Sequence, residues 1–228
     1  MREEVTIPFL GMTIGRFLFL FISIIFMLAV RPFMTETIGV RVLTDILFAV
    51  ILISGVYAVS QKRNVLIIAS LLAISSLLLG GAAYLKESTA FEFISKISFA
   101  LFVVITLVTI LSHILRAKEV TADLVMGAAS AYFLFGLVWT FAYYFLEMLA
   151  PNSFTLKQGD GDVLGQLLYY SFVTLTTLGY GDITPLTHQA RSLAICEAFI
   201  GQLYLAVLVA RLVGLHIAYA SNRDSSSP

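Results

Sequence analysis

The chain has 228 residues, of which 59% are hydrophobic and only 12% charged. Soluble domains carry about 25% charged residues, so with a mean hydropathy of +0.95 the chain is expected to be an integral membrane protein. Fourteen basic and fourteen acidic residues cancel, which removes any electrostatic case for nucleic-acid binding, and the single cysteine, Cys196, cannot form an internal disulfide.

A spanning helix needs about 20 mostly apolar residues. The N-terminus, MREEVTIPFLGMTIGRF, has no short apolar core followed by a small-residue cleavage site, so the first hydrophobic segment is expected to remain as an anchor. That segment, Phe17–Val30, is short and spans only if Arg16 and Arg31 snorkel toward headgroups. Ile46–Gln61 is marginal and lengthens if Arg41 and Asp45 pair at the membrane edge. Asn64–Leu85, Ile97–Leu115 and Leu124–Leu146 are free of charge from end to end and read as full spans. Val163–Gly181 is likewise uncharged throughout, and Ser192–Ala210 is interrupted only by Glu197. Connections are short. Only 151–162, PNSFTLKQGDGD, has the composition of an open surface loop, and AYASNRDSSSP after the last span reads as a polar tail. No internal repeat and no stretch fit for a soluble ligand-binding domain is visible.

If 163–181 crosses the bilayer there are seven spans and the termini lie on opposite sides; if it re-enters there are six and they share a side. Placing both termini in the cytoplasm puts eight Lys and Arg inside against six outside, in the direction of the positive-inside rule.

The end of this segment separates the two cases. It reads Thr177-Leu178-Gly179-Tyr180-Gly181-Asp182, and irregular backbone at membrane depth is tolerated only where protein buries it or it lines a watery cavity. Two glycines supply positive φ cheaply. This run resembles the selectivity-filter signature of the potassium channel family. Its surroundings resemble the family too: Leu124–Leu146 the outer helix, LLYYSFVTLTT the pore helix, and QARSLAICEAFIGQLYLAVLVARLVG the inner helix. Pro185 matches, as does Gly201 in its spacing from Asp182.

The resemblance, to six-span, one-pore-loop channels of prokaryotic type, implies an all-α membrane protein. A four-helix transmembrane bundle precedes a two-helix pore module with a re-entrant pore helix and selectivity filter, assembled as a C4 homotetramer. In residue terms it implies a bundle over 1–115, a linker over 116–123 and a pore domain over 124–220. Within the pore domain fall the outer helix 124–149, pore helix 163–177, filter 177–182 and inner helix 189–219, before a tail over 221–228. Backbone carbonyls of Thr177, Leu178, Gly179 and Tyr180, with Gly181 closing the run, replace the water of a potassium ion. K+ is then the bound ion and no other cofactor is implied. The partners are three further copies of the chain and membrane lipids. Gly201 matches the inner-helix hinge, with Tyr204, Leu205 and Leu208 at the cavity or a constriction.

Filter support is where the chain departs from the family. Val173 stands where some members carry a glutamate, and Tyr169 and Tyr170 where tryptophans are common; Thr176 completes the set. Tyr169 is expected to hydrogen-bond Asp182 and Tyr170 to pack on Tyr180, with plain aromatic packing as the alternative. The outer loops carry Glu147, Asp160, Asp162 and Asp182 against Lys157 and Arg191, a net −2 per chain that favours cations.

A voltage sensor needs several charges in the field, each contributing ~2.3 kcal/mol per 100 mV. The fourth span has only Lys96 at its start and Arg116 at its end, so weak voltage dependence at most is expected. The front bundle is then a scaffold or a lipid or ligand site. Glu197 either lines a crevice behind the filter or hydrogen-bonds a neighbouring helix. His113 and His188 are proton sensors or interfacial residues. The functional expectation is passive potassium conduction across the plasma membrane, without enzymatic activity. A non-conducting regulatory subunit, an intramembrane enzyme or a transporter are the alternatives; no rhomboid-like serine context or broken-helix repeat supports the last two.

Overall fold

The computed structural model describes residues 16–30, 50–51, 53–57, 63–86, 88–157 and 162–224. Among them all regular structure is helical, apart from one isolated antiparallel bridge between Phe154 and Pro185. In chain order the helices are α1 (Arg16–Val30), α2 (Arg63–Lys86), α3 (Thr89–Arg116), α4 (Ala122–Leu149), α5 (Val163–Leu175) and α6 (His188–Asp224). Residues 50–51 and 53–57 are helical as well. Four helices, α2, α3, α4 and α6, are long and apolar enough to cross a membrane, while α1 and α5 are shorter apolar helices. The expected span Ile46–Gln61 lies partly outside the described residues, as does Asp160.

Helix ends move where capping and charge pairing permit. α3 starts at Thr89, ahead of the expected Ile97, and Lys96 pairs with Glu92 one turn earlier at 2.5 Å. α4 opens on a Thr121 cap whose hydroxyl accepts the Leu124 N–H at 3.1 Å. At the other end, α6 continues to Asp224, into the stretch expected as a polar tail, because extending an existing helix costs little once it is nucleated.

The chain forms two compact units, Met1–Ala131 and Tyr132–Pro228, divided inside α4. The first turns of α4 belong to the front unit because they hold α1. The Phe17 N–H donates to Asp123 at 3.1 Å, and Gly127 lies so close to the Phe17 ring that a Cβ there would sit 2.9 Å from it. α1 buries Phe17, Leu20, Ile24 and Met27, a helical stripe, and turns Phe19, Ile22 and Phe26 outward. α2 packs on α3, with Ser95 donating to the Ser76 carbonyl at 2.8 Å. Gly55 admits the Phe102 ring of α3, and Ser54 donates to Ser23 at 3.1 Å. The buried polar side chains described here are all hydroxyls: Ser23, Ser54, Ser76, Ser98, Thr106 and Ser130.

In the second unit α5 packs on α6. Its core joins Tyr143, Phe154, Leu167, Tyr170, Ile183 and Ala190, with the Tyr143, Phe154 and Tyr170 rings meeting edge-on at centroid distances of 5.1–5.2 Å. This aromatic cluster links α4, the 150–157 loop and α5 to the segment that follows α5.

Candidate functional site

α5 is fixed at its start by the preceding loop. The Asp162 carbonyl accepts the N–H groups of Gly165 and Gln166, and the Gln166 amide makes two bonds to the Lys157 backbone at 2.8 and 2.9 Å. The helix has 13 residues, about 20 Å of rise, against a hydrocarbon core of about 30 Å. It ends in a Schellman turn: the Leu178 N–H bonds the Val173 carbonyl at 2.9 Å and the Thr177 N–H bonds the Thr174 carbonyl at 3.0 Å. That turn needs a left-handed residue at Thr177, which has φ 60°. Glycine normally takes such a position; a β-branched residue there holds about 1–3 kcal/mol of strain.

Left-handed backbone recurs at every second residue beyond it. Thr177, Gly179 and Gly181 have φ of 60°, 57° and 79°, while Leu178 and Tyr180 between them do not have positive φ. Residues 176–182 are exposed in the single chain, Leu178 at 58% and Tyr180 at 67%. Nothing within 4 Å would oppose a Cβ at Gly179 or Gly181, so it is the backbone angle that calls for glycine there.

The chain then runs back along α5. The Asp182 carboxylate has the Tyr169 hydroxyl set against it as a hydrogen-bonding influence. This influence, helped by the backbone N–H groups of Asp182 and Ile183 and by Lys157, holds the Asp182 carboxyl below the usual carboxylate range against a smaller desolvation effect. Further on, Thr155 and Thr184 exchange bonds, the Thr155 N–H to the Thr184 carbonyl at 3.0 Å and the Thr184 N–H to the Thr155 hydroxyl at 2.7 Å. The Leu186 N–H reaches the Ser153 carbonyl at 2.7 Å. Residues before α5 and after the irregular run thus meet at the same end of α5. Glu147 caps this loop by accepting N–H bonds from Asn152 and Ser153, and Arg191 donates to the Pro185 carbonyl. Three of the charges counted for the outer loops, Glu147, Asp182 and Arg191, are therefore engaged locally.

Behind α5 lies a buried acid. Glu197 of α6 is fully buried and accepts a hydrogen bond from the Tyr143 hydroxyl of α4. Its Oε1 lies 2.5 Å from the Ser171 hydroxyl of α5, which also lies 2.8 Å from the Gly136 carbonyl of α4. Of the two roles open to Glu197, the structure shows hydrogen bonding to neighbouring helices. Val173 is buried, so the carboxyl behind α5 comes from α6 and not from the position where some potassium channels carry it. Tyr143 and Ser171 are not evident from sequence, because they sit on other helices, far from Glu197 along the chain. The signal was an acid inside an apolar span, which demands buried partners.

Other expected residues are placed as follows. The Tyr170 ring packs on Tyr143 and Phe154, the aromatic-packing alternative to a contact with Tyr180. Thr176 donates back to the Phe172 carbonyl at 2.6 Å. Gly201 is buried against the end of α5, where a Cβ would come within 2.9 Å of the Leu175 carbonyl oxygen and 2.7 Å of its Cδ1. That same carbonyl accepts the Tyr132 hydroxyl at 3.1 Å. The Tyr204 ring packs on Tyr132 and Phe135 of α4, whereas Leu205 is 36% exposed and Leu208 half-buried. His113 sits against Phe17 in the front unit, and His188 is exposed at the start of α6.

A family model described as "Ion channel" matches residues 130–216, the part of the chain that contains this site. Protein LctB of Bacillus caldotenax is 45% identical over 64 residues, 28% of this chain and 46% of that protein. Two pore potassium channel c of Oryza sativa subsp. japonica is 38% identical over 63 residues, again 28% of this chain but 14% of the relative. The match thus spans less than half the length of either relative. No solved structure matches the chain. These similarities show an ion-channel-like segment at 130–216, within a chain whose described residues include four helices long and apolar enough to cross a membrane.

Proposed function

We propose that the chain forms a passive, potassium-selective pore as a four-fold homotetramer, with residues 177–182 as its filter. The observation that carries this is the alternation of φ over Thr177–Gly181. Backbone whose φ alternates in sign can turn successive peptide planes the same way, which is what a row of carbonyls from Thr177, Leu178, Gly179 and Tyr180 facing one side requires. Such a row can replace an ion's water when several copies converge on an axis. One chain supplies one wall. The exposure of Leu178 and Tyr180 and the bareness of α6, whose most apolar stretch is only 11% buried against 56% for α4, fit surfaces that other copies cover.

In this reading α5 is a re-entrant pore helix, too short to cross. Its C-terminal end, carrying about half a negative charge, lies next to the filter entrance. Asp182 lies at the outer mouth, and both termini are cytoplasmic in the plasma membrane. The name of the rice relative points to the same ion. The front unit's described interior of hydroxyls holds no charge to move through a field, so conduction is expected to depend weakly on voltage.

The test is the reversal potential, with barium block, of purified protein in liposomes under a potassium–sodium gradient. A potential near that of potassium is expected. Equal permeability to the two ions would refute selectivity, and absence of current would favour the regulatory-subunit reading.

A further inference from the structure

We propose that Glu197 is a neutral carboxylic acid that acts as a positioning residue, bracing α5 between α4 and α6. The inference rests on the reading of α5 as the pore helix but follows from a count of protons. Three short oxygen–oxygen contacts run in sequence: Tyr143 hydroxyl to Glu197 Oε2, Glu197 Oε1 to Ser171 at 2.5 Å, and Ser171 to the Gly136 carbonyl at 2.8 Å. At these separations a proton must lie between each pair. The Gly136 carbonyl can only accept, and Ser171 and Tyr143 have one hydroxyl proton each. With a carboxylate, two protons serve three contacts, and one oxygen pair is left face to face. With a protonated Glu197 the chain closes: Tyr143 donates to Oε2, the acid proton goes from Oε1 to Ser171, and the Ser171 proton goes to Gly136.

Charge leads to the same result. Among the described residues, the titratable groups facing Glu197 are Tyr132 and Tyr143 on α4 and Tyr170 on α5, with Cys196 beside it on α6; none of these is a cation. A carboxylate at 0% exposure without a positive partner is a costly arrangement, whereas a neutral acid with both oxygens bonded is not. The acid joins three helices through one side chain. Ser171 lies two residues before Val173, whose carbonyl anchors the turn into the left-handed run, so the brace meets α5 next to the start of that run.

The first measurement is the infrared difference between purified wild-type protein and Glu197→Gln at neutral pH. Loss of a protonated-carboxyl band is expected; loss of carboxylate bands instead would overturn the proposal. The amide reproduces the neutral acid, donating to Ser171 and accepting from Tyr143, so Glu197→Gln should keep liposome potassium flux within about twofold of wild type. Glu197→Ala and Ser171→Ala should each lose about tenfold, since each leaves a buried partner unsatisfied. Ser171→Ala covers the case in which Glu197→Ala fails to fold, and wild-type flux in Ser171→Ala would remove the positioning role. If wild-type protein carries no potassium, the channel reading fails while the infrared difference still decides the state of Glu197.

Discussion

The two compact units draw on the same apolar residues but handle buried polarity and backbone strain in opposite ways. In the front unit the buried polar groups described are hydroxyls, and three of them, Ser23, Ser54 and Ser130, return their proton to a nearby helix carbonyl or a neighbouring serine. The second unit buries a carboxyl shared by three helices and ends α5 with a threonine in left-handed backbone. Strain and a buried acid cost stability, and folded chains keep them where the surroundings over-determine them and function uses them. The strained backbone and the buried acid both fall in the C-terminal unit, within the stretch that the ion-channel model matches, whereas the described front unit shows helix packing.

The sharpest way to break that contrast is at the glycines. Gly179→Ala and Gly181→Ala would each force a side chain into left-handed backbone, at about 1–3 kcal/mol per chain and four times over in a tetramer. Potassium-selective flux should be abolished, while detergent extracts still contain folded, membrane-inserted protein. Selective flux in either variant would show that the alternating backbone is not the conduction element.

Gly201→Ala comes next. A methyl there meets Leu175 Cδ1 at 2.7 Å and its backbone oxygen at 2.9 Å, and backbone does not yield as a side chain does. Overpacking of this kind costs about 1–3 kcal/mol, so the thermal midpoint in detergent should fall along with flux. A hinge glycine would behave differently: its alanine variant would change opening with the midpoint intact. The midpoint therefore separates a close-approach role from the hinge role that sequence resemblance implies.

A smaller effect is expected at the outer mouth. The Tyr169 hydroxyl is the largest of the influences that hold the Asp182 carboxyl low. A depressed carboxylate contributes its bond at pH above its unfolded value and loses it only as pH falls through the folded one. Conduction should therefore persist on acidification through the ordinary carboxylate range. Tyr169→Phe should move the acid loss to higher pH, as read from flux against external pH. An unchanged acid limb would separate Asp182 from conduction.

Much of the second unit was legible because short-range rules wrote it. The run Thr177–Asp182 announces left-handed backbone through its glycines, and Tyr169 is near enough to Asp182 in the chain for a helix and the segment returning along it to bring them together. What was not legible depends on three helices meeting. Glu197 stood out as an acid in an apolar span, but nothing local indicated Tyr143 and Ser171, nor that Gly201 would lie on the Leu175 carbonyl. Thr177 was legible as the start of the irregular run and illegible as a strained residue, because its angle follows from how α5 is capped. Helix ends drifted for a related reason: caps such as Thr121 and the Glu92–Lys96 pair set them, and hydropathy does not see these.

The smallest expected effect tests the front unit's side of the contrast. Thr106 of α3 is fully buried beside Gly55, and its hydroxyl has no hydrogen-bond partner among the described residues. An unsatisfied buried hydroxyl is a net cost, and an isosteric methyl removes the cost without opening a cavity. Thr106→Val should leave potassium flux at the wild-type level and raise stability by up to about 1 kcal/mol, read as a higher thermal midpoint in detergent. A drop in flux at an unchanged or higher midpoint would mean that this hydroxyl serves the pore from within the bundle. The front unit would then carry function through a polar group that packing alone does not explain, and the contrast between the two units would fail at that residue.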